Sequence, residues 1–308
     1  MSAEIDLLLD RRRLKRHLIA WRVVAVLALA AAVLLAIGRS GIAVWPGEGP
    51  HVAVLSVNGI ITDDPARDAA VERLAQEPAV KALVVAIDSP GGSVAGGEAL
   101  HDAIARVAAT KPVVAVMGPV AASAGYMIAV PAARIFARQG TLTGSIGVLL
   151  QAGEISGLLK KLGVTPETVV SGPLKDQPSL TAPISPAGRA VLQGIVDNLY
   201  GQFVAMVAAG RHMSVDAVKA LADGRPYTGQ QALKLGLIDA IGGMGSARAW
   251  LASAKGVPES LPERPVARPG LGWPSLGSVF GGLLKIFLSQ RVNLDGAWAL
   301  WQPAEQLR

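Results

Sequence analysis

Residues 80–93 read VKALVVAIDSPGGS, and this stretch decides the fold. Val80 to Ile87 is a nearly continuous apolar run, as in a strand that is buried on both faces of a parallel sheet. The glycines after Pro90 let the backbone turn tightly, and Ser93 can then cap a helix. The stretch therefore predicts a strand, a turn and the start of a crossover helix.

The same alternation of strand and helix patterns continues along the chain in both directions from this turn. Further strands are predicted at residues 51–57, 112–117, 134–137, 145–149 and 168–170. Helices are predicted at residues 65–75, 93–109, 153–162, 185–209, 215–222 and 229–235. This order predicts an α/β fold with parallel strands and crossover helices.

The N-terminus has the pattern of a membrane anchor. Residues 1–22 carry six basic side chains against three acidic ones, and residues 23–37 are apolar and uncharged. The run reaches the length of a bilayer span if Arg22 extends its charge to the headgroups and residues 18–21 join it. A cleaved signal peptide is the alternative, but no small-x-small site follows. We expect an uncleaved transmembrane helix in a bacterial-type inner membrane, with the remainder of the chain on the periplasmic or extracytoplasmic side.

Composition excludes several kinds of site. The chain has no cysteine, which rules out disulfides, thiolate metal sites and cysteine nucleophiles. Outside the N-terminal block it has no basic stripe with interleaved aromatics, so no nucleic-acid partner is expected. No metal or cofactor is predicted either. The expected domains are residues 1–45 with the anchor and linker, 46–256 with the globular domain, and 257–308 as a proline-rich tail with a short apolar segment.

Ser123, in the small-residue segment VAASAGY at 120–126, follows a predicted strand and has no histidine near it in sequence. A serine nucleophile needs a base, and a lysine that loses its proton in an apolar environment can serve. Lys175 stands alone in the loop SGPLKD at 171–176. Each feature also has a plainer interpretation. Ser123 could cap a helix, Lys175 could be solvated, and Gly91-Gly92 could be an ordinary turn.

Several motifs together resemble the signal peptide peptidase A family, the S49 serine proteases of the ClpP/crotonase-like superfamily. Each motif alone is weak, but their order is specific. They lie between Val52 and Gly242 and read SPGG at 89–92, AS at 122–123, TGSIG at 143–147, SGPLKD at 171–176, GRPYTG at 224–229 and GLID at 236–239.

The resemblance implies catalytic roles for three side chains. Ser123 is then the nucleophile and Lys175 the general base. Ser145 would hydrogen-bond the lysine and orient it. The expected enzyme is a membrane-anchored serine endopeptidase with a Ser-Lys dyad, acting on remnant signal peptides and other short apolar polypeptides.

The resemblance also implies an oxyanion hole built from backbone N–H groups. Gly92, helped by the turn at Gly91, and Ala124 would supply them. The chain departs from the family here. The family usually has glycine after the nucleophile and two aromatics nearby, whereas this chain has Ala124 and then Tyr126-Met127. Alanine keeps its N–H, but its methyl group and the missing aromatic reshape the substrate pocket.

The chain resembles the short members of the family, which carry one copy of the domain. In these members the resemblance implies a homo-oligomeric ring, with serine and lysine supplied by adjacent subunits. Three alternatives stay open on sequence grounds. They are a crotonase-type acyl-CoA enzyme, which would need neither Lys175 nor an anchor, a non-catalytic membrane-bound assembly module, and a phage-type capsid protease, against which the anchor argues.

Overall fold

The computed structural model describes residues 49–266, together with Trp21 and Ala28. The chain divides into two compact units, residues 1–49 and residues 50–308. In the first unit Trp21 and Ala28 are helical and exposed. The fold described below is that of the second unit up to Val266.

The predicted membrane anchor, apart from Ala28, lies outside the described residues, and so does the apolar segment at 279–288. Among the residues that are described, no helix combines the length and the apolar character needed to cross a bilayer.

One eight-stranded sheet forms the centre of the second unit. Its strands are β1 (His51–Asn58), β2 (Val80–Ser89), β3 (Val113–Ala122), β4 (Arg134–Ala137), β5 (Leu142–Gly144), β6 (Pro226–Thr228), β7 (Ala240–Ile241) and β8 (Glu263–Pro265). The order is β6-β5-β3-β2-β1-β8, with β4 beside β3 and β7 beside β4. All pairs are parallel except β5 with β6. The predicted α/β class with parallel strands is confirmed.

Helices connect these strands within the described residues. They are α1 (Pro65–Arg73), α2 (Val94–Ala108), α3 (Ala124–Met127), α4 (Ser156–Lys161), α5 (Pro186–Arg211), α6 (Val215–Lys219), α7 (Gly229–Lys234) and α8 (Met244–Lys255). Side chains cap several of them, and the cap at Ser93 is the one that the sequence predicts. The Ser93 hydroxyl accepts the N–H of Gly96 at the start of α2, and Ser185 accepts the N–H of Gly188 at the start of α5.

Alternate residues of the central strands face two separate cores, which is why these strands read as continuous apolar runs. In β2, Leu83 and Val85 belong to the larger core, which α2 covers. Ala82 and Val84 face the opposite side, where Leu251 of α8 packs. Burial on both faces excludes polar side chains from residues 82–87, the middle of the strand, and polar residues return at its carboxyl end, where the glycine-rich turn begins.

β3 pairs with two different strands along its length. Its first half, at residues 114–116, pairs with β4, and its last three residues, at 120–122, pair with β5. In the second register Ala122 lies opposite Gly144. The residues that follow each strand, Ser123 and Ser145, are therefore brought side by side at one end of the sheet.

Some predicted elements are wrong. The strand predicted at residues 145–149 is absent, because Ser145 adopts φ +48° and turns the chain away from the sheet. Leu149 is consequently 82% exposed. The strand predicted at 168–170 is absent as well, since these residues find no partner strand and Val169 is 93% exposed. The helix predicted at 153–162 shortens to α4.

The sheet extends past residue 256, where the proline-rich composition predicts a tail. β8 pairs with residues 52–54 of β1, and the N–H of Val266 donates to the carbonyl of Val54. Arg248 of α8 supports this connection by donating to the carbonyls of Glu259 and Leu261, both at 2.8 Å.

Candidate active site

Ser123 lies at the sharp turn between β3 and α3. Its backbone has φ +53° and ψ −121°, a conformation that costs a residue with a side chain about 1–3 kcal/mol. Hydrogen bonds hold it there. Its N–H donates to the carbonyl of Gly144 at 2.9 Å, and its carbonyl accepts the N–H groups of Tyr126 and Met127. The strand pairing and the short helix together fix a partly buried hydroxyl at the end of the sheet.

Small residues surround Ser123 because neighbouring backbone comes close to it. A Cβ on Gly125 would lie 2.9 Å from the carbonyl oxygen of Ser89. A Cβ on Gly97 of α2 would lie 3.0 Å from the Ala124 Cβ. The methyl group of Ala124, which the family resemblance flags as a departure, is thus accommodated against a glycine of α2.

Gly91 packs directly on Ser123. It has φ +120°, and a Cβ there would lie 2.8 Å from the Ser123 Cβ and 3.2 Å from the Ser123 Oγ. Only glycine fits both the conformation and the space. The N–H of Gly91 donates to the Oγ of Ser89 at 3.1 Å, so this N–H is engaged within the turn.

Gly92 is the residue of the turn that reaches the surface. It bridges to Ile61, and a Cβ on Gly92 would lie 1.9 Å from the Ile61 carbonyl oxygen. The N–H of Gly92 has no acceptor within the described chain, and neither has the N–H of Ala124 at the first position of α3. Two backbone N–H groups without an acceptor, one at Gly92 and one directly after Ser123, are thus available to stabilise an oxyanion.

Ser145 follows β5 and is held by the loop before β6. Its N–H donates to the carbonyl of Arg225 at 3.1 Å, and its Oγ donates to the carbonyl of Gly224 at 3.2 Å. Gly224 itself has φ +87°. The side chain of Asp223 accepts both the N–H and the Nε–H of Arg225, which closes this loop.

One cleft of about 460 Å³ contains Ser123, Ser145 and Gly92. Its remaining walls combine apolar side chains with exposed backbone and are formed by Pro90, Val94, Gly147, Val148, Leu149 and Gly224. The described histidines, His51, His101 and His212, are not among the residues that line it.

Lys175 lies elsewhere in this single chain. It is exposed in the loop between α4 and α5, its N–H donates to the Gly172 carbonyl, and it does not line the cleft. One chain therefore brings together the predicted nucleophile, the predicted orienting serine and the predicted oxyanion donors, but not the predicted base.

A larger cavity, of about 710 Å³, lies on the other side of the carboxyl ends of β2 and β3. Asp88, Arg138 and the first residues of α8 line it, but Ser123 does not. We place the active site in the smaller cleft, because only there does a hydroxyl meet unused backbone donors. Within residues 49–266 no cluster of three or more histidine and carboxylate side chains could hold a metal ion.

A buried network supports the nucleophile segment from behind. The hydroxyl of Tyr126 in α3 donates to the carbonyl of Leu237 at 2.8 Å. Nearby, Asp239 accepts two hydrogen bonds from the guanidinium of Arg211 and one from the N–H of Ile135. Burial raises the pKa of Tyr126 well above its usual range, so this tyrosine is a neutral hydrogen-bond donor.

Two positioning features escaped the sequence reasoning. The hydroxyl of Ser89 accepts the backbone N–H of Gly91, and the carbonyl of Gly224 accepts the hydroxyl of Ser145. The glycine-rich motifs that contain them, SPGG and GRPYTG, were the available signal.

Sequence models of two protein families match the chain. The sequence model of peptidase family S49 matches residues 105–258, half of the chain, and includes Ser123, Ser145 and Lys175. The model of the Clp protease family matches residues 55–141, which include the glycine turn and Ser123. The sequence thereby supports the ClpP-like character of the α/β fold.

Individual relatives agree. A Synechocystis protein assigned as a protease is 40% identical over 70% of this chain and 79% of its own length. An Enterococcus faecium protein assigned as signal peptide peptidase SppA is 38% identical over 62% of this chain and 60% of its own length. Protease 4 of Salmonella typhi is 37% identical, and the match covers 61% of this chain but 29% of that protein. With the matched region spanning the nucleophile turn, the chain belongs to peptidase family S49 and is a serine-type protease.

Proposed function

We propose that this protease is an endopeptidase that uses a Ser123–Lys175 dyad, shared between adjacent subunits, to degrade remnant signal peptides and other short apolar polypeptides. The observation that carries the proposal is the strained Ser123 at the cleft, with the free N–H groups of Gly92 and Ala124 on either side. A hydroxyl fixed between two backbone donors suits acyl transfer better than binding alone.

The chemistry follows from these positions. The Ser123 Oγ attacks the scissile carbonyl carbon while its proton passes to the neutral amine of Lys175. The carbonyl oxygen becomes an oxyanion that accepts the N–H groups of Gly92 and Ala124. The C–N bond then breaks as the lysine returns the proton to the leaving amine. Water, deprotonated by the same lysine, hydrolyses the acyl-enzyme and restores Ser123.

Ser145 fixes the direction of hydrogen bonding to the lysine. A backbone carbonyl can only accept hydrogen bonds, so the Ser145 hydroxyl donates its single proton to the Gly224 carbonyl. The Ser145 oxygen is then left to accept a proton of the lysine amine. A lysine bound in this way keeps its lone pair free for the hydroxyl of Ser123.

A second copy of the chain is the proposed source of Lys175. Residues 149–195, the part of the chain that contains the lysine, carry large apolar side chains that are exposed in the single chain, as on a surface covered by a partner. They include Leu149, Leu158, Leu162, Val169, Leu174, Leu180, Val191 and Ile195. Burial of this surface in a homo-oligomeric ring would also remove water from the lysine, which favours its neutral form.

The proposed location is a bacterial-type inner membrane, with the catalytic domain on its periplasmic or extracytoplasmic side. The basic residues 1–22 ahead of the apolar run at 23–37 support this orientation. Cleaved signal peptides remain in the same bilayer and are apolar. The apolar side chains in the cleft, Val94, Val148 and Leu149, match such substrates.

Active-site labelling tests the function. A fluorophosphonate reporter should attach to the wild-type oligomer, and peptide mapping should find the adduct on Ser123. The same preparation should cleave a synthetic signal peptide faster than a charged peptide of equal length. Labelling of the Ser123→Ala variant to the wild-type level, or an adduct on another serine, would remove the basis of the assignment.

A further inference from the structure

We propose that Ser89, the last residue of β2, is a positioning residue that locks the Gly91–Gly92 peptide with its N–H toward the cleft. The inference rests on the proposed function and deepens it. It assigns a role to a hydroxyl that does not touch the substrate.

Ser89 is wholly buried, and its hydroxyl serves only the glycine turn. The Oγ accepts the N–H of Gly91 at 3.1 Å and makes a longer contact, 3.3 Å, to the carbonyl of the same residue. The Ser89 hydroxyl thus accepts the N–H of Gly91 and donates to the carbonyl of Gly91. A buried hydroxyl is retained at a cost unless it is hydrogen-bonded, and here both bonds go to one catalytic turn.

The peptide between Gly91 and Gly92 has one carbonyl and one N–H, which point in opposite directions because the bond is trans. The Gly91 carbonyl accepts the N–H of Ile61 at 2.9 Å. With the carbonyl held toward Ile61 and Ser89, the N–H of Gly92 must point the other way. Gly92 is exposed and lines the cleft, so its N–H is directed there.

The lock is needed because glycine offers little resistance to rotation. Gly91 has φ +120°, and neither glycine carries a side chain of its own that would restrict rotation of the peptide between them. A flipped peptide would place the Gly91 carbonyl oxygen where the oxyanion forms, and repulsion would replace a hydrogen bond. The Ile61 bond alone opposes this flip if the Ser89 hydroxyl is lost.

The test compares Ser89→Ala with Thr141→Val in the intact oligomer. Thr141 is a matched control, since its buried hydroxyl also donates to a backbone carbonyl, that of Gly118, but lies outside the cleft. Ser89→Ala should lower kcat by about tenfold to a hundredfold, up to the effect of losing one oxyanion donor, and leave KM within about twofold. The inhibition constant of a peptide aldehyde, whose adduct carries an oxyanion, should rise by the same factor as kcat/KM falls.

Ser89→Cys replaces the hydroxyl by a thiol, which is a weaker hydrogen-bond donor. Its kcat should lie between those of wild type and Ser89→Ala. This variant takes the place of Ser89→Ala in the test if Ser89→Ala does not fold. Kinetics of Ser89→Ala equal to those of Thr141→Val would overturn the role of Ser89 while leaving the protease assignment intact. A wild-type protein that neither labels nor cleaves would instead overturn the proposed function. In that case a crystal structure of Ser89→Ala tests the role of Ser89. A Gly91–Gly92 peptide that keeps its wild-type orientation refutes this role, and a flipped peptide supports it.

Discussion

At the scale of single residues, the dyad assignment makes the sharpest prediction. Ser123→Ala and Lys175→Ala should each lower kcat/KM by about 10⁴-fold, because the nucleophile and its base act as one unit. Neither change should lower the melting temperature, since Ser123 makes no side-chain hydrogen bond among the described residues and Lys175 is exposed in the single chain. Steady-state cleavage of a signal peptide and thermal unfolding measure both effects.

Lys219→Ala is the matched control, since Lys219 is another exposed lysine, in α6, away from the cleft. It should cleave at the wild-type rate. Near-normal turnover by Lys175→Ala would show that another group is the base.

Gly91 gives a second prediction at this scale. Gly91→Ala places a methyl group 2.8 Å from the Ser123 Cβ on a backbone with φ +120°. We expect a loss of about 1–3 kcal/mol in the free energy of unfolding and a loss of most activity. Gly140→Ala is the control, because a Cβ there meets no atom within 4 Å. Urea unfolding of both variants measures the difference, and equal stabilities would contradict the close approach.

Residues of the site differ in how far sequence could predict them. Ser123, Ser145 and Gly92 lie in motifs that adjoin strands, and the structure brings all three to one cleft. The carbonyl of Gly224 could not be foreseen, because it reaches Ser145 from 79 positions away and carries no side chain. The surroundings of Lys175 in an oligomer are equally hidden, since they depend on a second chain.

At the scale of elements, the strands with strong patterns were predictable and the weak ones were not. β1, β2 and β3 are long apolar runs buried on both faces, so periodicity alone reveals them. β6, β7 and β8 have three, two and three residues. Segments this short are defined by the strands they pair with. The run at 145–149 shows the converse, because a positive φ at Ser145 outweighs a favourable composition.

The short helix α3 depends on Tyr126, whose burial raises its pKa. In the unfolded chain a tyrosine ionises near pH 10, whereas folded Tyr126 keeps its proton. Stability from this group is therefore complete below about pH 10 and is lost as pH rises above that value. Tyr126→Phe cannot ionise. Its free energy of unfolding should be lower than that of wild type by about 1 kcal/mol at pH 8, because the hydrogen bond to the Leu237 carbonyl is lost. This difference between the two proteins should become smaller above pH 10.

Urea unfolding of wild type and Tyr126→Phe between pH 8 and 11 measures the difference in their free energies of unfolding. Other ionisable groups titrate alike in the two proteins and cancel in the difference. A gap that stays constant over the whole range would show that Tyr126 is not shielded from water as its burial indicates.

At the scale of the whole molecule, one chain brings together the proposed nucleophile, the proposed orienting serine and the glycine turn, but not the proposed base. Ser123, Ser145 and the proposed oxyanion donors lie at one end of the sheet. Lys175 is exposed on a loop whose apolar side chains, such as Leu174, are also exposed to solvent in the single chain. Both facts have one explanation if the loop of one subunit completes the cleft of the next. Isologous or cyclic packing would supply that geometry.

Subunit mixing tests this arrangement. Ser123→Ala and Lys175→Ala proteins, each lacking residues 1–45, should be inactive alone. In a mixed ring, some clefts pair an intact Ser123 with an intact Lys175 from the neighbouring subunit, so part of the wild-type activity should return. Each variant alone at the same total concentration is the control. If native mass spectrometry finds mixed oligomers and the mixture stays inactive, both members of the dyad must come from one chain. The exposed loop would then have to fold back over its own cleft.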